Sequence, residues 1–360
     1  MKTVGLLTFH FPINYGAYLQ TFGLYDYIRE SGNNIEIINY FTDEHMARFD
    51  FYQKPKSAKE VLYYLFKTFF LRSYFQKRKK FKRFSEKQFK MTTRYKNLTE
   101  VSFSYDIVIT GSDQVFNINH FDRLIYFQPF EKSINQTKAA YAPSFGINNL
   151  DDNITNKIKE FVIDFDYLSC REELGAKYLA DISGKDTEHV LDPVFLTSKD
   201  KWYSISSKPL VKENYIFIYD LNGKKPLVEI AKRIAKGRKI VIVSNDPMAQ
   251  LKSIYRDCDV FVKSAGIEDF ISYIRYADVV ITDSFHGTAM SVLFKKEFYT
   301  YIALESASYR ILSLLKSLSL DDRLIKNLDD FQEIDVIDYE NSLNELINNS
   351  KIYLNKILYN

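Results

Sequence analysis

Cysteine is scarce in this sequence: its 360 residues include only Cys170 and Cys258, in no CxxC or zinc-like spacing. We therefore expect neither a disulfide framework nor a structural metal site. We expect a reducing compartment. The chain also lacks an uninterrupted run of about eighteen apolar residues, which a transmembrane helix would need. Its first residues form too short an apolar run for a signal peptide and show no small-residue cleavage site. We therefore expect a cytoplasmic protein.

Low-complexity and Pro/Gly-rich stretches are absent too, and 46% of the residues are apolar, which is normal for a globular protein. The length suffices for two domains of ordinary size. A formal net charge of +3 by itself neither favours nor excludes a nucleic-acid partner. Because no nucleic-acid recognition motif accompanies the basic residues, no such partner is expected.

Short β-branched runs alternate with longer amphipathic stretches. Most of the runs are continuously apolar, as in strands buried on both faces of a parallel sheet. Because strand–helix–strand repeats build parallel units, the fold class is predicted to be α/β with doubly wound sheets. The predicted strands are residues 4–9, 35–39, 106–110, 138–142, 167–170, 215–220, 239–244, 259–262, 278–282 and 298–302.

These strands are too many for one compact sheet of normal width. A break falls at residues 192–209, where Pro, Ser and Lys accumulate. We therefore predict two Rossmann-like domains facing a cleft: residues 1–195 and residues 196–360. A basic helical insertion is expected at about 50–97, and a final helix at about 340–358 should pack back across the domains.

The basic part of that insertion, residues 72–96, contains eleven Lys or Arg and one acidic residue, Glu86, with four phenylalanines interleaved. The simplest interpretation is a solvated helical face. The alternative is contact with an anionic surface at the inner face of the membrane, or with the pyrophosphate of a lipid-linked sugar.

Ligands of parallel sheets bind beyond the carboxyl ends of the strands, so the strand-to-helix turns are the places to search. The first turn carries His10 and then Asn14-Tyr15-Gly16-Ala17. Gly16 would let the backbone approach a ligand, and a helix N-terminus favours anions. In the alternative interpretation, Asn14 only caps an ordinary helix.

The second turn follows the strand at 106–110 and supplies Ser112, Asp113, Gln114 and Asn117. This density of hydrogen-bond donors and acceptors suits sugar hydroxyls. The alternative, that Ser112 or Asp113 merely caps a helix, is about equally compatible with the sequence.

The third turn, Asp283-Ser284-Phe285-His286-Gly287-Thr288, follows the apolar strand at 278–282. A histidine inside the turn lies where the free N–H groups of a helix N-terminus can hold a phosphate, and it adds a titratable donor there. A lone histidine is more often an ordinary surface or core residue, and that alternative stays open.

Two arginines also follow strands: Arg171 comes after residues 167–170 and Arg310 after residues 298–302. A guanidinium at a strand end can hold a carboxylate or a phosphate in a bidentate fork. The alternatives are a salt bridge of Arg171 with Glu172 or Glu173 and, for Arg310, a solvated helix start.

Six segments in this order resemble those of the polysaccharide pyruvyl transferase family. The resemblance extends from residue 1 to about residue 325. The residues that carry it are Asn14-Tyr15-Gly16-Ala17, Gly111-Ser112-Asp113-Gln114-Val115-Phe116, Tyr141-Ala142-Pro143-Ser144-Phe145-Gly146, Ser169-Cys170-Arg171-Glu172, Leu191-Asp192-Pro193-Val194 and Thr282-Asp283-Ser284-Phe285-His286-Gly287-Thr288.

The resemblance implies a two-domain fold like that of GT-B glycosyltransferases. It also implies a reaction in which phosphoenolpyruvate, a co-substrate, gives its enolpyruvyl unit to a sugar as a cyclic ketal and releases phosphate, without a cofactor or metal. Members of known activity hold the donor with arginines and use a nearby histidine, which Arg171 and His286 match by position. Several have Arg-Leu-His where this chain has Ser284-Phe285-His286. Arg310 or another basic residue would have to replace that arginine, or the donor is bound differently.

On this basis His286 is the expected acid or base, with His10 in reserve, and Asp113 is expected to orient or deprotonate an acceptor hydroxyl. The predicted donor-binding residues are Arg171, Ser284, Gly287, Thr288 and Arg310. The predicted acceptor-binding residues are His10, Asn14, Tyr15, Gly16, Ser112, Gln114 and Asn117.

Two other functions are compatible with the sequence. One is a GT-B nucleotide-sugar glycosyltransferase, whose base-and-ribose pocket would involve Gly266-Ile267-Glu268-Asp269-Phe270. The other is a sugar-binding protein with a decayed site, which Ser284 in place of arginine would favour.

Overall fold

The fold is known from a computed structural model, and the described parts contain twelve strands and ten helices. The structure describes residues 1–45, 71–117, 124–146, 152–244, 252–302, 309–333 and 338–360, together with residues 57, 61 and 249.

The N-terminal half contains strands β1 to β6. Strands β1–β4 form a parallel sheet of order β2-β1-β3-β4, and β5 and β6 form a parallel pair. A parallel bridge between Ala139 and Tyr167 places the start of β5 beside β4. The bounds are β1 Thr3–Leu7, β2 Asn34–Ile37, β3 Ile107–Thr110, β4 Thr137–Ala140, β5 Leu168–Cys170 and β6 Thr187–His189.

The C-terminal half contains strands β7 to β12 in one sheet of order β12-β11-β10-β7-β8-β9. Every pairing in this sheet is parallel. The bounds are β7 Tyr215–Asp220, β8 Lys239–Ser244, β9 Val260–Val262, β10 Val279–Thr282, β11 Glu297–Tyr301 and β12 Leu324–Ile325.

Helices alternate with these strands along the chain, as in doubly wound sheets. Their bounds are α1 Tyr15–Glu30, α2 Leu71–Gln88, α3 Asp152–Val162, α4 Glu173–Ser183, α5 Lys199–Ile205, α6 Lys225–Ile234, α7 Ile267–Tyr276, α8 Phe285–Leu293, α9 Tyr309–Ser317 and α10 Glu340–Tyr359.

The predicted α/β fold with two Rossmann-like parallel sheets is confirmed. All ten predicted strands are present, with ends shifted by no more than about two residues, as is usual for strand boundaries. The sequence prediction missed β6 and β12. Strand β6 has the polar sequence Thr-Glu-His and β12 is two residues long, so neither shows an apolar run.

Helix α1 lies between the two halves, and thirteen of its sixteen residues are buried. Its first residue, Tyr15, stacks on Phe270 of α7 with ring centroids 4.4 Å apart and donates its hydroxyl to the carbonyl oxygen of Ala265 at 2.9 Å. The largest cluster of buried apolar side chains accordingly includes residues of both sheets and of α1. The halves therefore share a core through this helix.

Helix α10 follows the second sheet and returns to the N-terminal half. Tyr353 donates its hydroxyl to the carbonyl oxygen of Ala140 in β4 at 2.9 Å, and the Ser350 hydroxyl accepts from the N–H of Leu191 at 2.9 Å. The final helix thus packs against β4 and against the segment that follows β6.

The basic helix α2 buries its aromatic face. The ring of Phe81 lies 4.9 Å from that of Tyr18, and the ring of Phe84 lies 5.8 Å from that of Phe22. Phe89 is buried as well, and only Phe75 of the four phenylalanines is exposed, at 53%. The prediction of a helix is confirmed here, but three of the four rings belong to the core and not to a lipid-facing surface.

The rest of the predicted insertion, residues 50–56, 58–60 and 62–70, lies outside the described residues. Within the described residues, no helix is both long enough and apolar enough to span a bilayer.

The packing of α2 on α1 predicts a large difference between two phenylalanines of the same helix. Phe84→Ala removes a fully buried ring and should reduce the free energy of unfolding by about 3–5 kcal/mol. Phe75→Ala, the matched control at an exposed position, should change it by no more than about 0.5 kcal/mol. Urea unfolding followed by circular dichroism measures both, and equal effects would contradict the burial of this face.

Candidate active site

The carboxyl ends of β3, β5 and β10 bring three predicted residues together. Asp113 follows β3, Arg171 follows β5 and His286 lies in the first turn of α8, just after β10. Arg310, from the first turn of α9, and Asp192, which follows β6, complete the cluster. Residues of both halves of the chain therefore form one polar site, here called the Arg171 cluster.

Asp192 is the central anion of this cluster, and its side chain is fully buried. Its Oδ2 accepts hydrogen bonds from Arg171 Nη1 at 2.5 Å and from the Ser112 hydroxyl at 3.0 Å. The same oxygen lies 3.6 Å from His286 Nε2. Its Oδ1 accepts from the N–H of Val194 at 3.1 Å.

Sequence reasoning did not select Asp192 as a site residue. It used Leu191-Asp192-Pro193-Val194 only as a family motif and placed a domain break there. The missing signal was β6: once that strand is known, Asp192 stands just beyond a strand end like the other site residues.

Asp113 occupies a strained backbone conformation, with φ 76° and ψ −175°. A non-glycine residue at such a φ costs about 1–3 kcal/mol, and strain of this kind clusters at functional sites. In this conformation, Asp113 Oδ1 lies 3.7 Å from both Arg171 Nη2 and Arg310 Nη1. The carboxylate therefore lies between two guanidinium groups that come from opposite halves of the chain.

His286 lies at the contact between the two halves. Its Nε2 faces Asp192, and its other edge lies against the backbone of Gly16 in α1. A Cβ atom added at Gly16 would come within 2.1 Å of His286 Nδ1. Only glycine leaves room for this ring, so the predicted use of Gly16 for a close approach is explained by a protein side chain.

Several buried nitrogen atoms of the cluster form no hydrogen bond with a described residue. Across the described residues, six buried side-chain nitrogen or oxygen atoms have no hydrogen-bond partner, and three of them are Arg171 Nε, Arg171 Nη2 and His286 Nε2. Buried polar groups are almost always hydrogen-bonded, and isolated exceptions indicate a bound ligand or water. Three of these atoms lie on two neighbouring side chains, where a ligand or a water molecule could complete their hydrogen bonds.

Burial and the neighbouring charges together lower the pKa values of Asp113, Asp192 and Arg310. Burial raises the pKa of the Asp113 carboxyl, but Arg171, His286 and Arg310 lower it more, so that it lies below its ordinary value. Burial acts likewise on Asp192, where His286 and Arg171 hold the pKa well below the usual range. Burial and the neighbouring Arg171 lower the pKa of Arg310. Both carboxyl groups are therefore ionised near neutral pH.

The aromatic ring of Phe285 supports both guanidinium groups. The Arg171 Cζ lies 4.5 Å and the Arg310 Cζ 5.8 Å from its centroid. Cation–π contacts of this kind stabilise a guanidinium that is partly removed from water. The Arg310 side chain is only 19% exposed, so the alternative of a solvated helix start does not describe it.

Arg171 does not pair with the neighbouring glutamates that the sequence suggested as an alternative. The Glu172 carboxylate instead accepts hydrogen bonds from the hydroxyl of Ser144 and from the thiol of Cys170. Arg171 is bound by Asp192, which comes from a different strand end. The guanidinium thus belongs to the cluster and not to the start of α4.

The structure places the remaining donor-side candidates in internal contacts. The Ser284 hydroxyl caps α8 by accepting from the N–H of Gly287 at 3.4 Å. The Thr288 hydroxyl donates to the Ser284 carbonyl at 3.0 Å and lies 2.8 Å from the Thr300 hydroxyl. A Cβ at Gly287 would approach Thr282 Oγ1 to 2.5 Å. Donor binding by Ser284, Gly287 and Thr288 stays a prediction that these contacts do not support, because the cap and the close packing occupy them.

On the acceptor side, Ser112 reaches the Arg171 cluster and Gly16 adjoins it. The side chain of Asn14 caps α1 by accepting from the N–H of Ala17 at 3.2 Å, as in the alternative interpretation. Tyr15 is occupied in the contact with α7. Gln114 packs against Gly146, and Asn117 is buried.

His10 is held inside the N-terminal half. Its Nδ1 lies 2.8 Å from the carbonyl oxygen of Thr8 and its Nε2 lies 2.9 Å from Asn39 Oδ1. Burial lowers the pKa of His10. Because both ring nitrogens are occupied, His10 is a poorer candidate for proton transfer than His286, whose Nε2 is unpaired among the described residues.

Residues 266–270, which a nucleotide pocket would need, form hydrogen bonds within the protein. The Asp269 carboxylate accepts from the N–H of Gly266 at 2.9 Å, from Lys80 Nζ at 2.7 Å and from the Ser207 hydroxyl at 2.7 Å. The polar groups of residues 266–270 thus connect α7 with α2. Where the chain is described, no three His, Cys, Asp or Glu side chains are grouped as metal ligands.

The chain is thus an α/β protein with two doubly wound parallel sheets and a polar site at their contact. A family model described as polysaccharide pyruvyl transferase matches residues 14–306. The chain therefore belongs to the polysaccharide pyruvyl transferase family. No curated protein is significantly similar to it in sequence.

Several solved structures are similar to the chain over most of its length, at low sequence identity. UDP-GlcNAc 2-epimerase from Neisseria meningitidis is 10% identical, with all of both chains covered and a TM-score of 0.48. The same enzyme from Methanocaldococcus jannaschii is 12% identical, with 97% of this chain and 92% of that chain covered and a TM-score of 0.47. The wall teichoic acid polymerase TagF is 12% identical, with 99% and 87% covered and a TM-score of 0.47.

Asp283, just before the α8 cap, binds the loop after β7. Its Oδ1 accepts from the N–H of Leu221 at 2.8 Å and its Oδ2 from Asn222 Nδ2 at 2.7 Å. Burial, together with the nearby Asp220 carboxylate, raises the pKa of Asp283 from 3.8 to about 6. The residue therefore stabilises the loop but is costly to ionise.

This raised pKa predicts a pH-dependent stability. The folded protein holds the proton of Asp283 more tightly than the unfolded chain, so the stabilisation is complete below pH 3.8 and is lost as the pH rises through about 6. The difference between the two pKa values corresponds to at most about 3 kcal/mol. The free energy of urea unfolding of the unmodified protein, relative to that of Asp283→Asn, should fall by up to this amount across that interval. A difference that is constant with pH would contradict the assignment.

Proposed function

We propose that this protein transfers the enolpyruvyl group of phosphoenolpyruvate to a sugar of a surface polysaccharide, or to its lipid-linked precursor. The product is a pyruvate ketal, and inorganic phosphate is released. The observation that carries the proposal is the set of unpartnered buried donors on Arg171 and His286. A small anion with several acceptor oxygens is the kind of ligand that satisfies them.

Donor recognition is proposed to rest on guanidinium groups and not on the α8 N-terminus. The Nε and Nη2 atoms of Arg171 form no hydrogen bond with a described residue, and their edge of the guanidinium matches the two oxygens of a carboxylate or a phosphate. Arg310, which stacks with Arg171 on Phe285, supplies a second positive charge. In this proposal Arg310 replaces the arginine that several family members have where this chain has Ser284.

The ionised carboxylates of the Arg171 cluster also affect donor binding in the proposed reaction. Asp113 and Asp192 balance the charges of Arg171 and Arg310, so a further anion is favoured when His286 carries a proton. A protonated His286 beside the donor is the form that acts as a general acid. Anion binding and proton supply are therefore proposed to involve the same side chain.

The proposed reaction proceeds in two additions at C2 of the donor. His286 protonates C3, which becomes a methyl group, and C2 takes on oxocarbenium character. A sugar hydroxyl adds to C2 and loses its proton, for which Asp113 is the proposed acceptor. A second hydroxyl of the sugar then attacks C2, and the C2–O bond to phosphate breaks. Two C–O bonds form and the phosphate leaves with the second hydroxyl proton, so the atoms balance without a redox partner, a cofactor or a metal.

The central experiment is mass spectrometry of candidate glycans after incubation with phosphoenolpyruvate. An added pyruvate ketal together with free phosphate supports the proposal. Release of a nucleoside diphosphate from a nucleotide sugar would instead favour the glycosyltransferase. Glycan binding without turnover of either donor would favour a decayed sugar-binding protein.

We predict that His286→Ala reduces ketal formation by about 10²–10⁴-fold, because it removes the proposed acid. The fold should remain intact, which circular dichroism checks. His10→Ala is the matched comparison: the His10 ring is buried within the N-terminal half, and phosphate release by this variant should stay within a few-fold of the unmodified rate. Full turnover by His286→Ala would overturn the assignment, and loss in His10→Ala alone would transfer the role to His10.

We also propose that the exposed basic face of α2 contacts an anionic membrane surface, where a lipid-linked acceptor would lie. Arg78, Lys79 and Arg83 are exposed and form no ion pair with another described residue. Each basic residue near such a surface contributes about 1 kcal/mol.

Vesicle sedimentation tests the proposed membrane contact. The combined substitution Arg78→Glu, Lys79→Glu and Arg83→Glu should weaken binding to vesicles with anionic lipid by about a hundredfold or more. Vesicles of phosphatidylcholine alone are the control and should bind neither form. Unchanged binding of the substituted protein, or no binding by the unmodified one, would show that this face is only solvated.

A further inference from the structure

We infer that Asp192 is a positioning residue that holds Arg171 and His286 in one fixed arrangement across the contact between the two halves. The inference deepens the proposed function, on which it rests for the ligand. It concerns a residue whose side chain is buried and whose two carboxylate oxygens already accept hydrogen bonds from protein groups.

Both carboxylate oxygens of Asp192 are used as acceptors. Oδ1 accepts from the N–H of Val194, which fixes the carboxylate to its own chain at the start of the short helix at 193–195. Oδ2 accepts from Arg171 and from Ser112. The carboxylate is thus anchored at one oxygen and orients its neighbours with the other.

The contact with Asp192 determines which edge of Arg171 is available. Arg171 Nη1 is taken by Asp192, at 2.5 Å, which leaves Nε and Nη2 as the unpartnered pair among the described residues. These two nitrogens form the edge that binds two oxygens side by side. Without Asp192 the guanidinium could rotate toward Asp113, which already lies 3.7 Å from Nη2.

The position of His286 also depends on this carboxylate. On one side its ring is confined by the backbone of Gly16, and on the other its Nε2 faces Asp192 Oδ2 at 3.6 Å. The other charged groups of the cluster are Asp113, Arg171 and Arg310, with Glu172 behind Arg171. The Asp192 carboxylate binds Arg171, which belongs to the N-terminal half, and faces His286, which belongs to the C-terminal half.

Positioning and simple electrostatics predict opposite effects of Asp192→Asn on anion binding. The substitution removes a negative charge from the cluster, which by Coulomb's law alone should tighten the binding of an anion. Loss of positioning should weaken it. An asparagine cannot restore the arrangement. Both oxygens of Asp192 accept hydrogen bonds, and in asparagine one of these positions is an NH₂ group, which would face a donor.

Calorimetric titration with inorganic phosphate is the test, since it requires no acceptor and no turnover. We expect Asp192→Asn to bind phosphate about tenfold more weakly or worse than the unmodified protein, as for loss of a charge-assisted hydrogen bond. Binding as tight as in the unmodified protein, or tighter, would overturn the inference.

Asp26→Asn is the matched control. Asp26 is also a buried carboxylate paired with an arginine, Arg29, but it lies ten residues beyond Gly16 on α1, about 15 Å along the helix. Its phosphate affinity should equal that of the unmodified protein. A similar loss in both variants would indicate a general effect on the fold and overturn the inference.

A second variant covers the case in which Asp192→Asn does not fold. Ser112→Ala leaves every charge in place and removes the hydroxyl that donates to Asp192 and accepts from Arg171 at 3.4 Å. Phosphate binding weakened about threefold or more would support positioning, and unchanged binding would overturn it.

The two proposals fail in different ways. If the unmodified protein binds phosphate and Asp192→Asn binds it weakly, but phosphoenolpyruvate is not turned over with any glycan, the positioning role stands and the proposed function is wrong. If the unmodified protein binds no phosphate at millimolar concentration, the inference is overturned together with the anion site.

Discussion

The ring of His286 lies directly against the backbone of Gly16, and this contact joins the two halves of the molecule at their chemical centre. It requires a residue without a side chain in the first turn of α1 and a histidine in the first turn of α8. Helix α1 is buried between the two halves, and its first residue, Tyr15, stacks on Phe270 of the C-terminal half. The core that the halves share therefore fixes the distance between the cluster residues that each half contributes.

That distance matters because the cluster is a balanced set of charges in a buried place. Two carboxylates and two guanidiniums compensate one another, so each stays ionised where an isolated charge would be neutralised. The compensation is incomplete in hydrogen bonds, since Arg171 and His286 retain donors without partners among the described residues. In the proposed function, an anion that brings its own acceptor oxygens completes these hydrogen bonds.

Much of the fold and part of the site could be predicted from the sequence, for a physical reason. Buried parallel strands are apolar throughout, so their ends are visible, and Asp113, Arg171 and His286 each follow such an end. Asp192 was missed because β6 is short and polar and the Asp-Pro pair resembles a linker. The roles of Asn14, Ser284 and Thr288 could not be predicted, because a hydroxyl or amide at a helix start has the same spacing whether it caps the helix or binds a ligand. Only the partner atoms distinguish the two.

The capping of α8 by Ser284 also explains how this chain can dispense with an arginine there. With Ser284 as cap and Asp283 tied to the loop after β7, the polar side chains of this turn are committed to holding His286 in place. Positive charge must then come from another element, and Arg310 approaches from α9 over the ring of Phe285, the residue between Ser284 and His286. Phe285 is thus the support that lets a guanidinium from α9 stand beside Arg171. In the proposed function, Arg310, supported by the ring of Phe285, supplies the positive charge that several family members would obtain from an arginine at the position of Ser284.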